Sequence, residues 1–70
     1  MSDKWESYLE LDAEQQKLVQ HLLLHEYLLS GDKDTIVIKK MQADKKVYEQ
    51  AEQYETCQLY TDAIKLLEES

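Results

Sequence analysis

The second half of this chain, from Thr35 to Glu69, contains neither glycine nor proline. Its apolar side chains recur in steps of three and four residues, which places them in a single stripe along an α-helix. The members of this stripe are Val47, Ala51, Tyr54, Cys57, Tyr60, Ile64 and Leu67. The pattern predicts helix and, with only one glycine and no proline in the whole chain, an all-α protein.

Whether this stretch forms one helix or two decides the architecture. A continuous helix over residues 35–69 would be about 52 Å long, and its stripe beyond Tyr54 would need a second copy of the chain to cover it. A turn within residues 51–59 would instead give three helices of similar length in a compact bundle. The lack of glycine and proline favours continuity, whereas ordinary helix lengths favour a break. The predicted fold is a small helical hairpin or a three-helix bundle.

A short N-terminal helix is predicted before these helices. Asp3 is a suitable N-cap, and Glu6, three residues later, can complete a capping box. Trp5, Tyr8 and Leu9 would then share one face of the helix. Trp5 is expected either to close one end of the core or to act as an exposed anchor for a partner.

A longer helix is predicted over residues 13–29. Asp12 is a suitable N-cap for it, and Gly31 is free to adopt the left-handed conformation that commonly ends helices. Leucines and other apolar residues cover more than half of its circumference. A helix of this kind contacts more than one neighbour, so we expect it to be the core helix.

The loop after this helix, residues 30–34, is of a length that suits an antiparallel helical hairpin. Either Asp32 or Asp34 is expected to cap the next helix. The first apolar residues of that next helix are expected to lie against residues 13–29. They are Ile36, Val37, Ile38 and Met41.

A chain of 70 residues forms at most one domain, residues 1–70, with a thin core. We therefore expect it to form a homo-oligomer, most simply a dimer, or to bind a larger partner. The net charge of −7 opposes direct binding of DNA or RNA. No apolar run is long enough to span a membrane, no signal peptide is predicted, and a single cysteine suits a reducing compartment. The predicted location is cytoplasmic.

The C-terminal third resembles one tetratricopeptide repeat. The resemblance rests on Ala51, Tyr54, Tyr60, Ala63 and Leu67, which stand at the spacing of that repeat's small, aromatic and aliphatic positions. It departs from the repeat in having Val47 in place of the usual tryptophan and Gln58 in place of the turn glycine. The resemblance implies a helical hairpin, with its turn near Gln58, that binds other proteins.

The same segment is similar to the UVR motif of bacterial excision-repair and Clp-associated proteins. Gln53-Tyr54-Glu55, Asp62, Ile64 and Leu67 stand at its acidic, aromatic and aliphatic positions. Thr61 replaces an arginine of that motif and Cys57 replaces an alanine. This resemblance also implies a helical hairpin that pairs with helices of a partner, and it suggests a bacterial or phage source.

Little in the chain indicates reaction chemistry. His21 and His25 lie four residues apart on one helix face and could supply two ligands to a zinc ion, but a third ligand is not evident. We expect them at the edge of the core. Cys57 lies on the apolar stripe and is expected to be a small buried residue rather than a nucleophile. We predict no enzymatic activity, cofactor or metal.

The predicted function is that of a regulator or adaptor that binds another protein through a tyrosine-rich face of the last helix. The predicted partner-binding residues are Tyr54, Tyr60, Glu52, Glu55, Asp62 and Trp5. There are two alternatives. One is an acidic, phage-type inhibitor that occupies the nucleic-acid-binding site of a basic protein, and the other is a purely structural homodimer.

Overall fold

The computed structural model describes residues 7–69, which fold as a three-helix bundle. A short 3-10 turn, Tyr8–Glu10, is followed by α1 (Ala13–Leu28), α2 (Asp34–Gln50) and α3 (Tyr54–Glu69). Residues 7–69 contain no strand. The prediction of an all-α fold is therefore confirmed.

A turn separates α2 from α3, so residues 35–69 do not form one continuous helix. The N–H of Gln53 donates to the carbonyl of Tyr48 at 2.9 Å, and the N–H of Glu52 donates to the carbonyl of Glu49 at 3.1 Å. These two bonds define a Schellman motif, in which one residue adopts a left-handed conformation. Glu52 takes that position with a φ of 60°.

This turn lies before Tyr54 rather than at Gln58. The tetratricopeptide resemblance implied a turn near Gln58, but that residue lies within α3. Tyr54 and Tyr60, which the resemblance assigns to two different helices, therefore belong to the same helix. Their relative orientation is set by helical geometry and not by the packing of a hairpin.

The start of α1 agrees with the prediction and the start of α2 does not. The Asp12 carboxylate accepts the backbone N–H of Gln15 at 2.9 Å, as expected of an N-cap. Lys33, however, takes the N-cap position of α2. Asp34 is the first residue of that helix, and the carboxylate of Asp32 binds Lys40 instead. The ion pair with Lys40 lowers the pKa of Asp32, with a further contribution from the hydroxyl of Ser30.

The core is built around α3, not around α1. The buried residues of α3 form one stripe on one side of the helix: Thr56, Cys57, Leu59, Tyr60, Ala63, Ile64 and Leu67. α1 contributes only Leu23 and Leu24 to the fully buried set. α1 does contact both α2 and α3, as expected, but the prediction that residues 13–29 form the core helix is wrong, because only one side of α1 is covered.

α2 packs mainly against α3 and contacts α1 much less. Val37 and Met41 are fully buried in the core, whereas Ile36 is exposed. The stronger pairing is therefore that of α2 with α3, and the expected pairing of α1 with α2 is the weaker one. The N-terminal turn packs against α3 as well, with Tyr8 buried and Leu9 exposed, so these two residues do not share a face.

None of the helices described over residues 7–69 is long and apolar enough to cross a membrane. The predicted helix start at Asp3, with Trp5 and Glu6, lies outside the described residues.

Candidate protein-binding surface

The side of α1 that points away from the core is apolar. Leu18, Leu22 and Leu29 are 61, 62 and 71% exposed, and His25 is exposed between them. Leu29 is the C-cap residue of α1 and keeps helical backbone angles, so at 100° per residue all four side chains lie within one narrow sector, away from the buried Leu23 and Leu24. We call these four residues the α1 outer face.

A groove of about 700 Å³ runs along one flank of this face, between α1 and the C-terminal part of α3. Leucines make up most of its lining, and the only titratable groups in it are two imidazoles. The lining residues are Leu18, His21, Leu22, Leu24, His25, Leu28, Leu66 and Leu67. We call it the leucine groove. Its shape and composition suit an apolar side chain of a partner helix.

The local sequence explains why this face stays uncovered. Leu22, Leu23 and Leu24 are consecutive, so their side chains spread over about 200° of the helix circumference. One neighbouring helix cannot cover all three. Leu23 and Leu24 are buried in the core with residues of α2 and α3, and Leu22 is left on the outside. This face was not predicted, although its signal was the apolarity of residues 13–29 over more than half of the helix circumference.

Tyr54 and Glu52, two of the predicted partner-binding residues, lie together at the turn between α2 and α3. Tyr54 is the first residue of α3 and is 68% exposed, and Glu52, two residues before it, is also exposed. Both are accessible to a partner. Val47 is exposed nearby on α2.

Tyr60 is not accessible, because it is only 3% exposed. Its hydroxyl is hydrogen-bonded to the hydroxyl of Tyr27 at 3.0 Å, and its ring centroid lies 5.3 Å from that of Tyr48. The hydroxyl of Tyr27 also binds the carboxylate of Asp44. Burial raises the pKa of Tyr60 to about 12. The predicted tyrosine-rich face is therefore divided, with Tyr54 outside and Tyr60 in the core.

Asp62 and Glu55 hold the N-terminal turn. The Tyr8 hydroxyl donates to Asp62 Oδ2 at 2.6 Å and accepts from Gln20 Nε2 at 2.8 Å. The backbone N–H of Leu9 donates to Glu55 Oε2 at 3.1 Å. Burial, reinforced by the bond to Asp62, raises the pKa of Tyr8 to about 12. These two acids, which are predicted to contact a partner, are half-buried and bind the chain's own N-terminal turn.

The remaining candidates are Trp5, Cys57 and the two histidines. Trp5 lies outside the described residues. Cys57 is buried, as predicted, and its thiol lies 3.7 Å from the carbonyl of Lys45. His21 and His25 are exposed at the leucine groove. Within residues 7–69, no group of three or more His, Cys, Asp or Glu side chains is arranged to hold a metal ion.

Comparisons of the chain with protein-family models, with curated proteins and with solved structures gave no match. The resemblances to the tetratricopeptide repeat and to the UVR motif stay predictions.

Proposed function

We propose that this chain is a non-enzymatic protein-interaction module, acting as a regulator or adaptor. Its binding surface is the α1 outer face together with the leucine groove, and the partner presents an apolar helical surface to it. The observation that carries the proposal is the one-sided burial of a helix that is apolar over more than half of its circumference.

The energetics of burial support this choice of surface. Covering an exposed leucine side chain is worth roughly 1.5–3 kcal/mol. Three leucines of the α1 outer face are more than half exposed, so a partner that covers them gains several kcal/mol before its ordering costs. No comparable set is available on α3, whose apolar stripe is used in the core.

The chemically versatile side chains support a binding role over a catalytic one. The thiol of Cys57 is buried, and the carboxylate of Asp62 is occupied by Tyr8 and Gln58. The hydroxyls of Tyr27 and Tyr60 bond to each other in the core. Each of these groups has a structural task in the bundle.

The test is an affinity capture from extract of the cells that produce the protein, at low and at high salt, with quantitative mass spectrometry. The baits are the unchanged chain, Leu22→Glu and Val47→Glu. Leu22 and Val47 are both 62% exposed, so the two variants make a similar change to an apolar surface residue at different places. A fourth bait, Tyr54→Ala, tests the exposed tyrosine at the turn.

We expect a partner that survives high salt and is retained by Val47→Glu but lost with Leu22→Glu, because an apolar interface is little affected by screening. If the partner is lost only with Tyr54→Ala, the choice of surface is overturned and the turn between α2 and α3 is favoured as the binding site. A partner that is released by salt from every bait would overturn the proposal in favour of the acidic inhibitor.

A further inference from the structure

The α1 outer face has the spacing of a helix-pairing surface. Leu18, Leu22, His25 and Leu29 are separated by four, three and four residues, which is the a/d spacing of a heptad repeat. Such a row stays in line with the same row on a second helix when the two cross at about 20°. The face is therefore suited to a second helix that carries an apolar row with the same spacing, rather than to a flat or irregular surface.

The charges of the chain point to a second copy as that helix. The charged residues of 13–29 are Glu14, Glu26 and Lys17, so this segment has a net charge of −1. The net charge of the whole chain is −7. Most of the acidic excess lies before residue 15 and after residue 46. A basic partner would be attracted to those regions, whereas the nearly neutral α1 face can meet an identical face with little repulsion.

We propose that two copies of this chain pair through their α1 outer faces about a two-fold axis. This inference rests on the proposed function, since it assigns a partner to the same surface. In a two-fold pair each copy contributes the same residues, so the heptad positions of one α1 meet those of the other. Leucines at the edge of one face can then enter the leucine groove of the second copy.

The dimer is expected to be weak. α1 has 16 residues, about 24 Å, and supplies only two heptads of contact. Each α1 is already folded against α3, so pairing does not have to form the helix. The area of the interface is nevertheless at the small end of the range for specific protein–protein interfaces. One heptad position is also polar, because His25 stands where a leucine would complete the row. We expect a dissociation constant on the order of 100 µM.

Sedimentation equilibrium of the purified full chain tests this pairing, at concentrations from about 10 µM to 1 mM. The variants are Leu22→Glu, His25→Leu and the matched control Val47→Glu, each checked for helix content by circular dichroism. Leu22→Glu should lower the association constant at least tenfold. His25→Leu should raise it about tenfold by completing the apolar row, and Val47→Glu should leave it unchanged.

A chain that stays monomeric at 1 mM would overturn the pairing, and so would a dimer that Leu22→Glu and Val47→Glu weaken equally. A dimer unaffected by His25→Leu would also overturn it, because position 25 would then lie outside the contact. The two proposals fail separately. A monomeric chain that still captures a different protein through Leu22 retains the proposed function and loses the pairing.

Discussion

At the scale of single residues, the contacts that fix the ends of the fold differ in how far they reach along the chain. Asp12 binds the N–H of Gln15, three residues away, and the capping rule predicts it from the sequence. Tyr8 and Asp62 are 54 positions apart, and no local pattern relates them. The sequence showed Asp62 only as an acid on a helix surface, so its structural role could not be predicted.

The bond between Tyr8 and Asp62 gives a direct test. Tyr8→Phe removes the hydroxyl and leaves the Asp62 carboxylate and the Gln20 amide without that partner, which should lower the free energy of unfolding by about 1–2 kcal/mol. Tyr54→Phe makes the same change at an exposed site and should alter it by less than about 0.5 kcal/mol. Urea denaturation followed by circular dichroism measures both. Equal effects of the two substitutions would contradict the assigned bond.

The buried tyrosines also predict how stability depends on pH. The pKa values of Tyr8 and Tyr60 are raised to about 12, and that of Tyr27 is raised as well. Below pH 10, the ordinary tyrosine value, all three are protonated in both folded and unfolded chains. Above it the unfolded chain loses its protons first, so stability falls as the pH rises from about 10 to 12.

Urea denaturation at pH 8, 10 and 11 measures this decline. Tyr8→Phe removes one of the three groups, so its free energy of unfolding should fall less steeply over the same range. An equally steep decline in Tyr8→Phe would show that Tyr8 does not contribute to it.

At the scale of elements, the helices could be predicted from the sequence but their contacts could not. The break between α2 and α3 was undecided because the left-handed position of its Schellman motif is taken by Glu52, whereas glycine is the residue that marks such turns. The role of α1 was predicted wrongly for another reason. Apolar residues show which sides of a helix tend to be covered, but not whether the same chain covers them.

The conformation of Glu52 predicts a stabilising substitution. Glu52→Gly relieves the crowding of a side chain at positive φ and should raise the free energy of unfolding by about 0.5–1 kcal/mol. Glu49→Gly, the same change in the last turn of α2, should lower it by a similar amount, because glycine is unfavourable within a helix and the ion pair of Glu49 with Lys45 is lost. Thermal denaturation of the two variants measures the difference. A loss of stability in Glu52→Gly would mean that the turn does not have this geometry.

A pair of identical substitutions tests which helix carries the core. Leu59 in α3 is 0% exposed, so Leu59→Ala should cost about 2–5 kcal/mol through lost burial and a residual cavity. Leu22→Ala removes the same atoms from the outer face of α1 and should cost less than about 0.5 kcal/mol in dilute solution. Chemical denaturation of both variants at low concentration measures this. A larger loss from Leu22→Ala would restore α1 as the core helix.

At the scale of the whole molecule, a small chain has combined a well-covered α3 with a half-covered α1. Length and composition predicted that so thin a core would be supplemented from outside. They did not locate the surface, because that depended on which side of α1 faces α3. The spacing of Leu18, Leu22, His25 and Leu29 acquires meaning only when the structure shows that this side is exposed.

Pairing through α1 would make thermal stability depend on concentration. The midpoint of unfolding should rise by a few degrees between about 10 µM and 1 mM, since mass action favours the folded dimer over unfolded monomers. Leu22→Glu should remove this dependence while leaving the midpoint at low concentration nearly unchanged. Differential scanning calorimetry over the concentration series measures both. A midpoint that does not move would argue against coupling between assembly and folding.

The late position of the core helix has a consequence for how the protein is made. Ribosomes add about 5–20 residues per second, so α3 is completed roughly 2–8 s after α1. During that interval the leucines of α1 lack both α3 and any external partner. The α1 outer face is defined only when α3 has packed on the other side of the helix, so pairing through α1 follows the completion of the chain.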